Sequence, residues 1–274
     1  MRTEIRRAVG ATLKVVSGAV DRVRPPAPGV TVLIYHRVGA HSPVPVDLPT
    51  PLFRDQMAEL ADRAVSLDRA LELLAGPAPA PGTPNPVVVT FDDGTADVVD
   101  DALPVLVEFK IPALLYVATD FVERQIDFPD DGRIASWSAL ADAASTGCLD
   151  LGSHTHTHAL LDRLADDLVA SELDRSIELI GERTGQQATH FAYPKALSGS
   201  PAADQLVRDR FASAAIAGTH ANRYGHTDPW TLARSPIQVS DGMKWFRAKA
   251  AGGLGLEDDL RRTANKVRYR GATN

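Results

Sequence analysis

The sequence predicts an α/β fold built on a parallel sheet that closes, or nearly closes, into a barrel. Three observations carry this reading. Seven short apolar runs recur along the chain, helical patterns separate several of them, and the motifs richest in chemistry directly follow such runs. Parallel strands need crossover connections, so strands alternating with helices read as a parallel sheet. Within one domain of this length, closing the sheet on itself is the simplest way to pair every strand.

The elements follow in chain order. Residues 1–24 are basic, with Arg2, Arg6, Arg7, Lys14, Arg22 and Arg24 against Glu4 and Asp21. Ile5, Val9, Leu13, Val16 and Val20 fall at helical spacing, which predicts an amphipathic helix. A signal peptide needs an unbroken apolar stretch and a small-residue cleavage site. Lys14 interrupts the stretch, and the apolar positions form a face rather than a run. The helix is expected to pack on the domain, with contact to an anionic membrane surface as the sharper alternative. The corresponding location is cytoplasmic, or peripheral at the inner membrane face. Pro25, Pro26 and Pro28 make a stiff joint. The expected organisation is therefore a helix and joint over 1–25, one barrel over 30–250 and a tail over 251–274.

The predicted strands span residues 30–36, 87–91, 113–118, 148–152, 189–193, 212–217 and 232–239. Phe53, Met57, Leu60 and Ala64 mark one helix, and Val98, Val99, Leu103, Leu106 and Val107 another. The strongest pattern runs Leu161, Leu164, Leu168, Glu172, Leu173, Ile177 and Ile180, with Gly185 as its stop. Residues 77–86, rich in Pro and Ala, read as an exposed surface insertion.

Composition narrows the function. Among 274 residues, 29 are Lys or Arg and 35 Asp or Glu, a net charge of −6 that argues against generic nucleic-acid binding. A single cysteine excludes an intrachain disulfide framework and a Cys-rich zinc site. No apolar run approaches the ~18 residues of a membrane span.

Three motifs fall at predicted carboxyl ends of strands, where parallel α/β sheets gather their active sites. In Thr90-Phe91-Asp92-Asp93-Gly94, adjacent carboxylates diverge, so one can bind a metal while the other accepts a proton. Gly94 permits a tight turn. An Asp-Asp-Gly turn is common by itself. In Ser153-His154-Thr155-His156-Thr157-His158, His154 and His158 are four apart, a metal-ligand spacing that one helical turn would present to a common side. One Asp and two His suit Zn²⁺ hydrolysis and also the facial triad of non-haem iron oxygenases. A second, unligated Asp favours hydrolysis. The third motif is Tyr35-His36-Arg37 on the same predicted rim.

Together these motifs resemble the NodB-homology polysaccharide deacetylases, carbohydrate esterase family four, over roughly residues 30–247. The resemblance implies a distorted (β/α)7 barrel and metal-dependent hydrolysis of acetyl groups on an N-acetylated sugar polymer or glycoconjugate. It implies a divalent metal, Zn²⁺ foremost among divalent transition metals. It assigns Asp92 as general base and Asp93, His154 and His158 as metal ligands. Phe191-Ala192-Tyr193-Pro194 looks like the third family motif, which lines the groove, with Tyr193 offering its backbone N–H to the oxyanion. That motif lacks its usual Arg near Ala192, and Lys195-Ala196 replaces an aromatic-Gly ending. The family's late Leu-x-His motif is absent after Tyr193, whereas Leu33-Ile34-Tyr35-His36 comes early. The order resembles the circularly permuted branch typified by poly-N-acetylglucosamine deacetylases, with His36 as general acid. Leu232-Ala233-Arg234-Ser235-Pro236 resembles a late strand of that branch, and Arg234 is expected to pair with Asp92. The competing reading is a non-catalytic carbohydrate-binding relic of the same fold.

Overall fold

The computed structural model describes residues 2–257, with side chains undescribed for residues 2–9 and 11. The 258–274 part of the expected tail lies outside the described residues.

The seven expected strands all form. They are β1 (Gly29–Tyr35), β2 (Val87–Phe91), β3 (Ala113–Val117), β4 (Leu149–Ser153), β5 (His190–Ala192), β6 (Ser213–Ala217) and β7 (Leu232–Pro236). Every neighbouring pair is parallel, in sequence order, from β1 through β7. The ring closes where β7 returns to β1, with Val32 opposite Arg234, Leu33 opposite Ser235 and Ile34 opposite Pro236. Residues Asn222–Arg223 add a short antiparallel pairing to the start of β1. The β4–β5 seam is the thin one, with Ser153 opposite Phe191 as its single register pair. Below it the Gln186 amide stands in for a strand, accepting from the Leu151 N–H at 2.8 Å.

Both strand faces are buried, which is why the runs read as continuous apolar stretches rather than alternating ones. Val32, Val88, Leu114, Tyr116, Ala192 and Ala215 fill the interior. The helix α3 (Leu67–Ala75) packs Leu67, Ala70 and Leu74 against that group and plugs the barrel. On the outer face, Leu33, Tyr35, Val89 and Phe91 pack beneath α2 (Thr50–Leu60) through Phe53, Met57 and Leu60. The ring is completed by α4 (Leu103–Phe109), α5 (Thr119–Arg124), α6 (Trp137–Ser145), α7 (Asp166–Thr184), α8 (Pro201–Arg208) and α9 (Gly242–Ala250). Residues 77–85 form an exposed irregular connection between α3 and β2.

Two helices depart from their sequence patterns. The helix expected over Val98–Val107 carries a π-turn at Val98–Ala102 before α4 begins. Pro104 follows directly; it has no N–H to give, and the wider turn accommodates its ring. Leu161 sits in a separate 3₁₀ turn, Leu161–Arg163, because Ala165 is extended and starts α7 afresh at Asp166. Gly185 ends α7 as expected, at φ 75° with its N–H on the Gly181 carbonyl.

The N-terminal helix α1 (Arg2–Val23) packs on the barrel, but not through its apolar stripe. Among its described side chains, Lys14 and Ser17 are the buried ones, while Val16 and Val20 are 45% and 40% exposed. The cause is a charge cluster. The Lys14 ammonium donates to Asp241 Oδ1 at 2.6 Å and to Ser240 Oγ at 3.1 Å. Lys249 donates to Asp241 Oδ2 at 2.8 Å and to the Pro236 carbonyl at 2.7 Å. Two buried ammonium groups thus share one carboxylate. Burial raises the Asp241 carboxyl, and the two lysines outweigh it, leaving Asp241 below the usual range. Asp241→Asn removes the counter-charge from both. Chemical denaturation should show a loss of about 3–5 kcal/mol at neutral pH, the usual cost of leaving buried charge unpaired; a loss under 1 kcal/mol would show that water reaches the cluster.

Candidate active site

The site lies at the carboxyl ends of the strands, and its groups enter from four of them. Asp92 and Asp93 leave β2, His154 leaves β4, Arg234 stands on β7 and His36 follows β1. Asp93 and Gly94 have φ of 79° and 102°, so the chain reverses sharply within two residues. That reversal sends the two carboxylates in different directions. A β-carbon at Gly94 would meet the Val117 side chain at 3.3 Å, in addition to the strain of its left-handed backbone.

Asp92 is buried and fixed from two sides. Arg234 donates through Nη1 to Asp92 Oδ1 at 2.6 Å and through Nη2 to Oδ2 at 2.9 Å. Nη1 also reaches Thr90 Oγ1 at 3.2 Å, and the Thr90 hydroxyl donates to the Leu33 carbonyl at 2.7 Å. The ring of Tyr116 lies under the guanidinium, 4.9 Å from Cζ to its centroid. Two parallel bonds fix both position and orientation, which one lysine could not do. Burial by itself raises the Asp92 carboxyl, but the Arg234 charge, the histidines and the Arg234 bonds carry it well below the usual carboxylate range. The neighbouring Asp93 is raised, burial being the main cause. Two adjacent carboxyls are thereby given different proton affinities, the pattern that separates acid–base roles.

One ligand atom each from Asp93, His154 and His158 lies within 4.8 Å of the others. His154 Nδ1 is 2.7 Å from the Ala192 carbonyl, which only an N–H can satisfy, so Nε2 carries the lone pair that faces the carboxylates. Burial pushes His154 down to about 4, and burial followed by the Lys195 charge does the same to His158. Both rings are neutral near pH 7, so the 3.9 Å approach of His154 to Asp92 and to Asp93 is not an ion pair. His158 Nε2 stands 3.6 Å from Asp93 Oδ1. Neutral imidazoles and a carboxylate oxygen on one point form a donor set suited to a divalent cation.

The two histidines do not share a helical turn, as their spacing suggested. Residues 154–160 are irregular, with Thr155 and His158 at φ of 64° and 61°. The segment is shaped by bonds that its sequence does not announce. Ser153 Oγ accepts from the Thr155 N–H, Thr155 Oγ1 accepts from Ala159, and Glu172 on α7 accepts from both the N–H and hydroxyl of Thr157. Glu172 belonged to an expected apolar stripe, so periodicity hid its role. Arg37, read in the sequence only as a neighbour of His36, is a second supporting residue. It donates to the Pro129 carbonyl at 2.6 Å, holding the loop whose Phe128 ring stands edge-on to His158 at 5.6 Å.

His36 is half-buried at the exit of β1, close enough for its charge to act on Asp92, Asp93 and His158. Its Nδ1 is buried without a hydrogen-bond partner. His156 turns away to Thr119 Oγ1, at 2.9 Å.

Tyr193 corrects an expectation. Its N–H donates to the Ala215 carbonyl at 3.1 Å and is therefore spent in the sheet rather than offered to an oxyanion. Its ring packs on Phe191 and its hydroxyl donates to Asp204, on the α8 side of the barrel wall. Pro194 is buried and has no N–H, so any backbone donor from this loop lies after it.

The Arg234 clamp has a measurable signature. In Arg234→Gln, burial would act on Asp92 without the opposing charge, so the Asp92 pKa rises and the group protonates at higher pH. The acid limb of the kcat/KM profile should move upward by at least one pH unit, roughly the effect of a charge partner at contact. An unmoved limb would show that Asp92 ionisation does not limit turnover.

The polysaccharide deacetylase family matches residues 80–209, a segment that contains the Asp-Asp and His motifs but neither His36 nor Arg234. No curated protein sequence matches the chain. Among solved structures, IcaB from Ammonifex degensii is similar at TM-score 0.68 and 26% identity, over 81% of this chain and 99% of that one. The Streptococcus pyogenes deacetylase PplD, solved in complex with acetate, gives TM-score 0.69 and 19% identity over 82% and 99%. A de-N-acetylase from Aggregatibacter actinomycetemcomitans gives 0.66 and 16% over 80% and 99%. The closed seven-stranded barrel, the motif pair inside the matched segment and these likenesses agree: residues 80–209 match the polysaccharide deacetylase family, and the whole barrel is similar in fold to IcaB and to the other solved structures.

Proposed function

We propose that the protein removes N-acetyl groups from an N-acetylated sugar polymer or glycoconjugate with the help of a divalent metal, Zn²⁺ foremost. Asp93, His154 and His158 would hold the metal. The observation that carries the reading is the clamped Asp92 carboxylate standing outside that three-ligand cluster yet within 4 Å of it, through His154. A carboxylate held ionised beside a cation site is a base placed where a water would be activated.

The donor set supports the metal. Both imidazoles are neutral, His154 is fixed by a backbone carbonyl, and Asp93 is a partly buried carboxyl raised chiefly by its withdrawal from water. A divalent cation bound there supplies Lewis acidity toward the acetyl carbonyl and lowers the pKa of a water. Asp92 accepts the proton of the attacking water as the carbon–oxygen bond forms. Arg234 keeps both Asp92 oxygens in place, so no reorientation is needed during the transfer. His36 donates a proton to the departing nitrogen as the carbon–nitrogen bond breaks, and acetate and a free amine result. An amide needs that proton far more than an ester does, so a histidine at this rim supports the N-acetyl substrate.

Mass spectrometry of N-acetylated glycans and xylan after incubation with the metal-loaded protein tests the reading. Loss of acetyl groups from the N-acetylated members is expected, and their survival across the panel would overturn it. Asp92→Asn should retain the metal and lose about 10²–10⁴ in rate, the worth of a positioned base. His154→Ala or His158→Ala should instead lose most bound metal by elemental analysis. Full occupancy in both would remove them as ligands.

His36→Ala should damage amide deacetylation far more than hydrolysis of an activated aryl acetate, whose leaving group departs unprotonated. Equal losses on the two substrates would make His36 a structural residue.

A further inference from the structure

The N-terminal helix is mounted the wrong way round for a helix that only packs on its own domain. An amphipathic helix normally buries its apolar stripe and exposes its polar one. Among the described side chains of α1, the buried or bonded ones are polar: Lys14, Ser17 and, one turn on, Asp21, whose carboxylate accepts from the Leu254 N–H at 2.7 Å. Lys14 is tied beside the start of α9 and Asp21 beside its end, so α1 and α9 lie side by side along this face. The approach is close, since a β-carbon at Gly18 would meet Trp245 at 3.1 Å.

That mounting leaves the valines outside. Val16, Val20 and Val23 recur at helical spacing with exposures of 45%, 40% and 83%, and Val15 adds 56%. Leu13, on the same line, is half-buried, so the exposed face runs from Val15 to Val23. Rotating the helix to bury the valines would withdraw Lys14 from Asp241 and leave buried charge unpaired, so the orientation is locked by electrostatics. The apolar face is a fixed, outward-facing feature.

Charge identifies its occupant. Residues 1–24 hold six basic residues against two acidic ones, in a chain whose net charge is −6. Lys14 and Asp21 are engaged with the barrel, so arginines dominate what is left, and Arg22 and Arg24 are exposed. An outward valine face flanked by arginines, on an otherwise acidic protein, matches a bilayer rich in anionic phospholipid, where apolar burial and charge attraction act together. A second copy docked through the same face would instead set arginine against arginine. No described helix is long and apolar enough to cross a membrane. We propose that α1 is a peripheral membrane-binding element that lies in the interface of an anionic bilayer, held to the barrel by the Lys14–Asp241–Lys249 cluster.

Co-sedimentation of the full chain with vesicles tests this. Binding is expected to phosphatidylcholine vesicles containing phosphatidylglycerol, to weaken with salt, and to be at least tenfold weaker to phosphatidylcholine alone. The double variant Val16→Asp/Val20→Asp should lose about tenfold or more in vesicle affinity while keeping the melting temperature and acetate release from soluble substrate. Arg22→Ser/Arg24→Ser should weaken binding to the anionic vesicles only. Failure to bind anionic vesicles would overturn the proposal, as would wild-type affinity in the valine variant. So would a dimer by light scattering that the valine variant dissolves, since the face would then be a contact between copies.

Discussion

The Arg234–Asp92 pair governs the architecture around it. In the ring, β7 and β2 are not neighbours; β1 lies between them. Arg234 therefore spans the first strand to reach a carboxylate that follows the second, and it does so from a fully buried position. A guanidinium inside a barrel is tolerable only with its counter-ion and an aromatic face for company, which Asp92 and Tyr116 provide. The same contacts that satisfy the charge also fix the carboxylate. Closure of the sheet, solvation of the buried arginine and orientation of the base are thus one structural problem with one solution.

Around that pair the fold separates two adjacent carboxyls by environment rather than by distance. Asp92 faces positive charge and is held ionised, whereas Asp93 turns through a left-handed backbone into a partly buried position beside neutral imidazoles. Supporting contacts come from outside the motifs. Ser153, Thr155 and Glu172 shape the histidine segment, and Arg37 holds the loop that walls His158. Such preorganisation places the cost of ordering in folding rather than in the reaction.

A second buried charge cluster does comparable work at the barrel's edge. Asp241 with Lys14 and Lys249 sets the rotation of α1 about its axis, and so decides which of its faces meets solvent. Hydrophobic burial alone would have chosen the opposite face. The contrast shows how a few buried ionic contacts can override the apolar pattern of an entire helix, because the penalty for an unpaired buried charge exceeds the gain from covering a few valines.

The sequence by itself determined the strand count, the strand positions and the parallel closed barrel, because apolar runs alternating with helical periods allow few other solutions. It also placed the Asp-Asp and His motifs on one rim, since residues that directly follow parallel strands emerge on the same face. Pairing of β7 with β1 followed from the expected closure of the sheet. Other features were settled only in three dimensions. The His154–His158 spacing suggested a helical turn, but side-chain bonds from α7 made it an irregular loop. The Tyr193 N–H was taken by Ala215, a contact with no local signature. The helix α1 turned its valines outward because Asp241, far along the chain, captured Lys14. Local periodicity reports which residues prefer burial; which partner each buried polar group finds depends on segments brought together by the closed fold, and that is a property of the tertiary structure alone.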